Sequence, residues 1–256
     1  MAQASQEKIL IGAALALACA LAWVLTVYHA QGMAGMEGMD MGGMEMAPEP
    51  PSVARFAGLF AMWLAMMCAM MLPAIYPMLT AFAAVNRVRH QREEPYVATA
   101  FFVLGYLIAW ALYSALAVAA QWGLESAGLL DSMMESTSRT LGGMLFLLAG
   151  LYQWTPLKEV CLARCRSPVG FVLTEWRDGT PGAIVMGLRH GAFCVGCCGA
   201  LMLLLFALAV MNLLWVAALT VLVMAEKLLP GGTWLRHAIG AGLTLAGLVL
   251  LGGTLL

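Results

Sequence analysis

Long apolar runs alternate with short polar breaks along the chain. The runs occupy Ile9–Tyr28, Phe56–Val85, Val97–Gln121, Thr140–Trp154, Ala192–Ala225 and His237–Leu256. A helix needs ~20 apolar residues to cross a hydrocarbon core ~30 Å thick. Ala192–Ala225 holds 34 residues, which as one helix would reach ~51 Å. The pattern therefore predicts two spans there, with a tight turn near Met211-Asn212 and a first span that begins within Gly182–Gly191. Lys8 before the first run is reminiscent of a signal peptide. However, the run is longer than a usual signal core, and its small-residue triplets lie inside it, so a retained anchor is expected. The expected fold is all-α, a polytopic bundle of about seven transmembrane helices. Residues 1–28 would form the anchor, 29–55 an extracytoplasmic Met-rich loop, and 56–256 a six-helix membrane domain with a cytoplasmic loop at 155–189.

Charge placement orients this arrangement. With the N-terminus cytoplasmic, the inner segments hold Lys8, Arg87, Arg89, Arg92, Lys158, Arg164, Arg166, Arg177, Arg189, Lys227 and Arg236, and the outer ones only Arg55 and Arg139. This obeys the positive-inside rule, and six spans would move Lys227 and Arg236 outside. The expectation is a bacterial inner-membrane protein, in contact with the lipid bilayer, whose Met-rich loop lies in the periplasm.

Composition sharpens the class. Hydrophobic residues make up 62% of the 256 and charged residues 11%, against ~25% charged in soluble domains. A water-soluble enzyme is excluded. The formal net charge of −1 excludes an electrostatic nucleic-acid binder.

The 20 methionines and seven cysteines carry the chemistry. Residues His29–Met46 place Met33, Met36, Met39, Met41, Met44 and Met46 among glycines and acids, closed by Pro48, Pro50 and Pro51. A linker of this kind has no core to bury thioethers in. Thioether sulfur is a soft neutral ligand that prefers Cu(I), and it survives where thiols would oxidise. In the second run, Met62, Met66 and Met70 repeat every four residues beside a parallel row of Met67 and Met71, which places a sulfur face on one helix. Pro73 and Pro77 follow, freeing carbonyls that neighbouring helices must satisfy.

The sharpest pattern is G-L-R-H-G-A-F-C-V-G-C-C-G-A-L-M at Gly187–Met202. His190, Cys194, Cys197 and Cys198 fall along one helical face, and Gly187, Gly191, Gly196 and Gly199 permit close helix approach. Two thiolates around Cu(I) leave only one net negative charge, so burial is cheaper than for a bare thiolate. Zn(II) prefers four closed N/S ligands. The adjacent Cys197 and Cys198 face partly different ways and are poorly set to pair with each other. Cys161 and Cys165, one turn apart beside Lys158, Arg164 and Arg166, suggest a basic interfacial helix that receives or hands on a metal. Glu226-Lys227 is expected at a membrane edge, and Asn212 in a turn. The chain lacks a P-loop sequence and a D-K-T-G-T phosphorylation sequence, so any transport by it is not ATP-driven.

The stretch W-x-A-M-M-x-A-M-M-L-P-A, the run Tyr152–Lys158, Cys161-x3-Cys165-Arg166-Ser167-Pro168, and Gly187–Gly191 followed by Gly196-Cys197-Cys198 resemble a bacterial domain-of-unknown-function family. That family is described as predicted metal-binding integral membrane proteins, and the resemblance covers about Ala54 to Gly231. It implies that Met66, Met67, Met70, Met71, His190, Cys197 and Cys198 belong to shared motifs. The expected function is non-enzymatic: Cu(I) binding, with Ag(I) as an equivalent soft ion, for acquisition, transfer or delivery to a cuproprotein. The partner would be a copper chaperone or a membrane cuproenzyme, and metal can move in either direction. The rival readings are a membrane thiol-redox protein and an accessory subunit of a larger membrane complex.

Overall fold

The computed structural model describes residues 2–37, 52–91, 97–130, 138–210, 212–229 and 233–253. Among them the chain is helical, in the order α1 (Ala2–Glu37), α2 (Val53–His90), α3 (Thr99–Ser126), α4 (Arg139–Tyr152), α5 (Pro156–Arg166), α6 (Pro168–Thr174), α7 (Gly179–Met202), α8 (Leu213–Leu228) and α9 (Thr233–Gly252). A 3-10 turn, Leu203–Phe206, extends α7. Five stretches are long and apolar enough to cross a membrane: Ser5–Gly32, Val53–His90, Thr99–Ser126, Gly179–Phe206 and Thr233–Gly252.

The other two expected spans correspond to shorter helices. α4 has 14 residues, ~21 Å, and α8 has 16, ~24 Å. Both fall short of a ~30 Å core. The reason is visible in the packing. α4 stops where Thr155 caps α5, its side chain accepting from Lys158 N, and α5 and α6 then continue the protein wall. α8 ends on Glu226-Lys227, which are buried inside the protein. Within the segment 155–189, Lys158, Cys161, Leu162, Phe171 and Val172 are buried in the bundle, while Leu157, Val160, Val169 and Leu173 stay exposed.

Other boundaries follow local chemistry. α1 runs on to Glu37, so the segment read as a linker from residue 29 starts as helix, through the helix-compatible Ala30, Gln31, Met33, Ala34 and Met36. α7 begins at Gly179, ahead of the expected start. The turn after it is where the sequence placed it. Ala209 takes the left-handed φ of +62°, Asn212 N bonds back to Ala209 O at 3.0 Å, and Asn212 Oδ1 accepts from Leu214 N at 3.1 Å to cap α8.

Two polar devices align the long helices. At one end Arg87 pairs with Glu7 at 2.6 Å and Arg89 with Asp178 at 2.8 Å, joining α1, α2 and the start of α7. At the other end a string runs inward from Arg55 through Glu125 (2.7 Å) and Gln121 (2.8 Å) to Trp63 Nε1 (2.9 Å), joining α2 to α3. Pro73 interrupts the α2 ladder and leaves Ala69 O without its in-helix donor. Cys19 Sγ of α1 reaches that carbonyl at 3.5 Å. α1 turns Leu10, Leu17 and Val24 outward, as a lipid-facing helix would.

Two seams rest on glycine. On α3–α7, a side chain at Gly105 would strike Ile184 and Leu188 backbone, and one at Gly187 would strike Phe102. On α4–α9, Gly150 lies against Thr244 and Gly240, and Gly247 against Leu147 and Gly143. Small residues let these backbones touch.

Candidate functional site

The methionine face of α2 points into the protein. Met62, Met66, Met67, Met70 and Met71 are all at most 4% exposed. Met71 is the member that meets the cysteines, with its Sδ 3.7 Å from Cys198 Sγ. Its carbonyl accepts from Tyr106 Oη of α3 at 3.2 Å, which fixes this turn of α2 against α3.

On α7, the spacing of Cys194, Cys197 and Cys198 brings all three onto the buried face. The Cys197 and Cys198 thiols donate to Cys194 O at 3.1 and 2.9 Å, so both turn back along the helix and are held close together. α5 closes the other side. Cys165 Sγ lies 3.9 Å from Cys197 Sγ. Cys161 Sγ sits against Gly196, 2.6 Å from where a Cβ there would be, so only glycine leaves it room. Tyr152 Oη donates to Gly196 O at 2.5 Å, pinning the α4–α5 corner to the same turn of α7.

The cluster has a buried cation. Lys227 Nζ of α8 stands 2.9 Å from Cys194 Sγ and 3.8 Å from Met71 Sδ. Tyr106 Oη shares a hydrogen bond with the same Cys194 sulfur at 3.1 Å. The adjacent Glu226 does not neutralise Lys227. Both its oxygens accept from Lys158 Nζ, at 2.8 and 3.0 Å, with both side chains at most 1% exposed. On α5, burial and the neighbouring Cys197 push the Cys161 thiol up.

His190, one turn before Cys194, is boxed by aromatic rings. Tyr106 stacks on it at 5.7 Å, and Phe171 meets it edge-on at 5.3 Å. Its Nδ1 is buried and has no hydrogen-bond partner among the described residues.

This donor set suits a soft ion of low coordination number. Sulfurs each ~2.3 Å from one ion lie at most ~4.6 Å apart. The Met71–Cys198 and Cys165–Cys197 separations of 3.7 and 3.9 Å are within that limit. All seven cysteines are free. Among the described residues no group of three or more His, Cys, Asp or Glu side chains forms a metal cage. What the set offers is thiol plus thioether, ligands that soft ions prefer.

Of the residues singled out from sequence, Met71, Cys194, Cys197, Cys198 and Cys165 come together, with Cys161 beside them. Met62, Met66, Met67 and Met70 line the same buried α2 face. Met33 and Met36 fall on the last turns of α1; Met39, Met41, Met44 and Met46 lie outside the described residues. Lys227, Tyr106 and the Lys158–Glu226 pair were missed. A sequence signal existed for two of them, because ionisable residues within or at the end of an apolar run are functional candidates by default.

Fold and site together define an all-helical protein with membrane-capable helices and a buried thiol–thioether cluster. The chain matches the family model PpoB2, described as a copper chaperone, over residues 60–250, and it belongs to that family. No curated protein and no solved structure matches it.

Proposed function

We propose that the chain is a multi-pass inner-membrane chaperone that binds Cu(I) at Met71, Cys194 and Cys198 and passes it to Cys197, Cys165 and Cys161. The single observation that carries this reading is the pair of sulfur contacts, Met71–Cys198 and Cys165–Cys197, which link three helices through one cysteine face. Ligand exchange between sulfurs under 4 Å apart needs no bare ion in the bilayer. In this reading the periplasmic methionines from Met33 to Met46 collect Cu(I) or Ag(I). The buried stripe from Met62 to Met70 carries it inward, and His190 serves as a reserve ligand. The ion leaves through the α5 thiols to a soluble copper chaperone or a membrane cuproenzyme. α4 and α8, too short to span alone, complete a seven-span topology together with the segments adjoining them, a reading supported by the Arg and Lys bias.

The test is metal analysis of purified protein after Cu(I) loading under reducing conditions. Wild type should retain copper, and Cys197→Ser/Cys198→Ser should lose most of it. A metal-free wild type overturns the reading. A tag on the C-terminus should be periplasmic, and a cytoplasmic tag contradicts seven spans.

One observation favours a second reading. Cys165 and Cys197 face each other across two helices, as a thiol-redox pair would. That reading predicts redox-dependent labelling of both thiols without metal.

A further inference from the structure

The geometry points to Lys227 as the residue that sets the charge of the ion this cluster accepts, favouring a monovalent over a divalent soft metal. The inference rests on reading the cluster as a Cu(I) site. Lys227 is 8% exposed and reaches the cluster from the last turn of α8. Its hydrogen-bond partners among the described residues are two sulfurs, those of Cys194 and Met71. The carboxylate next to it in sequence, Glu226, has both oxygens committed to Lys158. Tyr106, His190 and the cysteines are the other groups that face it, and among the described residues none of these is a carboxylate.

A buried ammonium of this kind counts in the charge balance of the loaded state. The thiolates of Cys194 and Cys198 contribute two negative charges, and the Met71 thioether contributes none. With Lys227 and a monovalent ion the cluster sums to zero. With a divalent ion it carries an uncompensated positive charge, which a low-dielectric interior penalises. Without Lys227 the balance reverses: the divalent ion gives the neutral state and the monovalent one leaves a net negative charge. The ammonium adds nothing to softness, which the sulfurs supply. It adds a count of charge that sulfur ligands alone do not enforce.

Ag(I) and Cd(II) separate the two properties, because both are soft ions with a filled d shell and they differ by one charge. Purified full-length protein, reduced and equilibrated with equal concentrations of both ions, is analysed for bound metal. Wild type should favour Ag(I). Lys227→Leu, which removes the charge without adding a sulfur donor, should lower the Ag-to-Cd ratio by at least about tenfold, and Lys227→Arg should keep it near the wild-type value. An unchanged ratio in Lys227→Leu, with Ag(I) still bound by wild type, overturns this inference and leaves the copper reading standing. A wild type that favours Cd(II) overturns it without reference to any variant. A wild type that takes up neither Ag(I) nor Cu(I) overturns both.

Discussion

The α3–α7 seam and the α4–α9 seam look alike in sequence, since each sets glycines at turn spacing along apolar helices. They serve different ends. Across α3–α7, backbone contact at Gly105 and Gly187 brings the Tyr106 hydroxyl to the Cys194 sulfur and aligns α7 so that its cysteines face α2, α5 and α8. Across α4–α9 the approach is as close, but the polar groups there, Gln153 and the Thr244 hydroxyl, find no hydrogen-bond partner among the described residues. Glycine supplies proximity alone. A site also needs donors from several helices that converge on one point, and only the α7 seam has them.

The largest expected effect concerns the ion pair that holds α5 and α8 to that seam. Lys158→Met leaves Glu226 buried without its cation and should cost about 3–5 kcal/mol. Unfolding of the protein in detergent should show this, and the double variant Lys158→Met/Glu226→Met should recover most of the loss. A single variant as stable as wild type would mean that the pair does not organise this corner.

Substitution within the two seams sharpens the contrast. Gly187→Val and Gly150→Val must each push neighbouring backbone aside, at about 1–3 kcal/mol. Both should lower the melting temperature, but only Gly187→Val should also reduce copper per chain. Equal copper loss in the two would erase the distinction drawn here.

Smaller effects probe individual donors. Met71→Leu keeps volume and should cost less than about 1.5 kcal/mol, while weakening Cu(I) binding measured against a competing chelator. Tyr106→Phe removes one hydroxyl and should cost about 1 kcal/mol. Because that hydroxyl orients Cys194 without being a ligand, Cu(I) affinity should fall about tenfold. If Tyr106→Phe left affinity unchanged, the hydroxyl would have no part in the site.

Much of this was legible in the sequence. The i, i+4 methionine rows of α2 predicted a shared face, and that face is buried. The offsets of Cys194, Cys197 and Cys198 predicted a shared face on α7. Asn212 marked the turn because its side chain readily caps a helix. The remainder depended on distance in space. Nothing local to Cys161-x3-Cys165 says that α5 packs its thiol against Gly196, since a basic helix with apolar positions is equally compatible with a lipid surface. Glu226-Lys227 reads as an edge pair because neighbours in sequence with opposite charge suggest each other as partners. In the structure they turn apart, Glu226 to Lys158 and Lys227 to Cys194. The lengths of α4 and α8 were obscured in the same way, because hydropathy does not reveal where another helix takes over the wall.

X-ray absorption at the copper edge of the Cu(I)-loaded protein tests the central claim most directly. The account predicts a first shell of two or three sulfurs at ~2.3 Å, reduced by one in Cys198→Ser. A shell of nitrogen or oxygen, or a spectrum unchanged in Cys198→Ser, would contradict it.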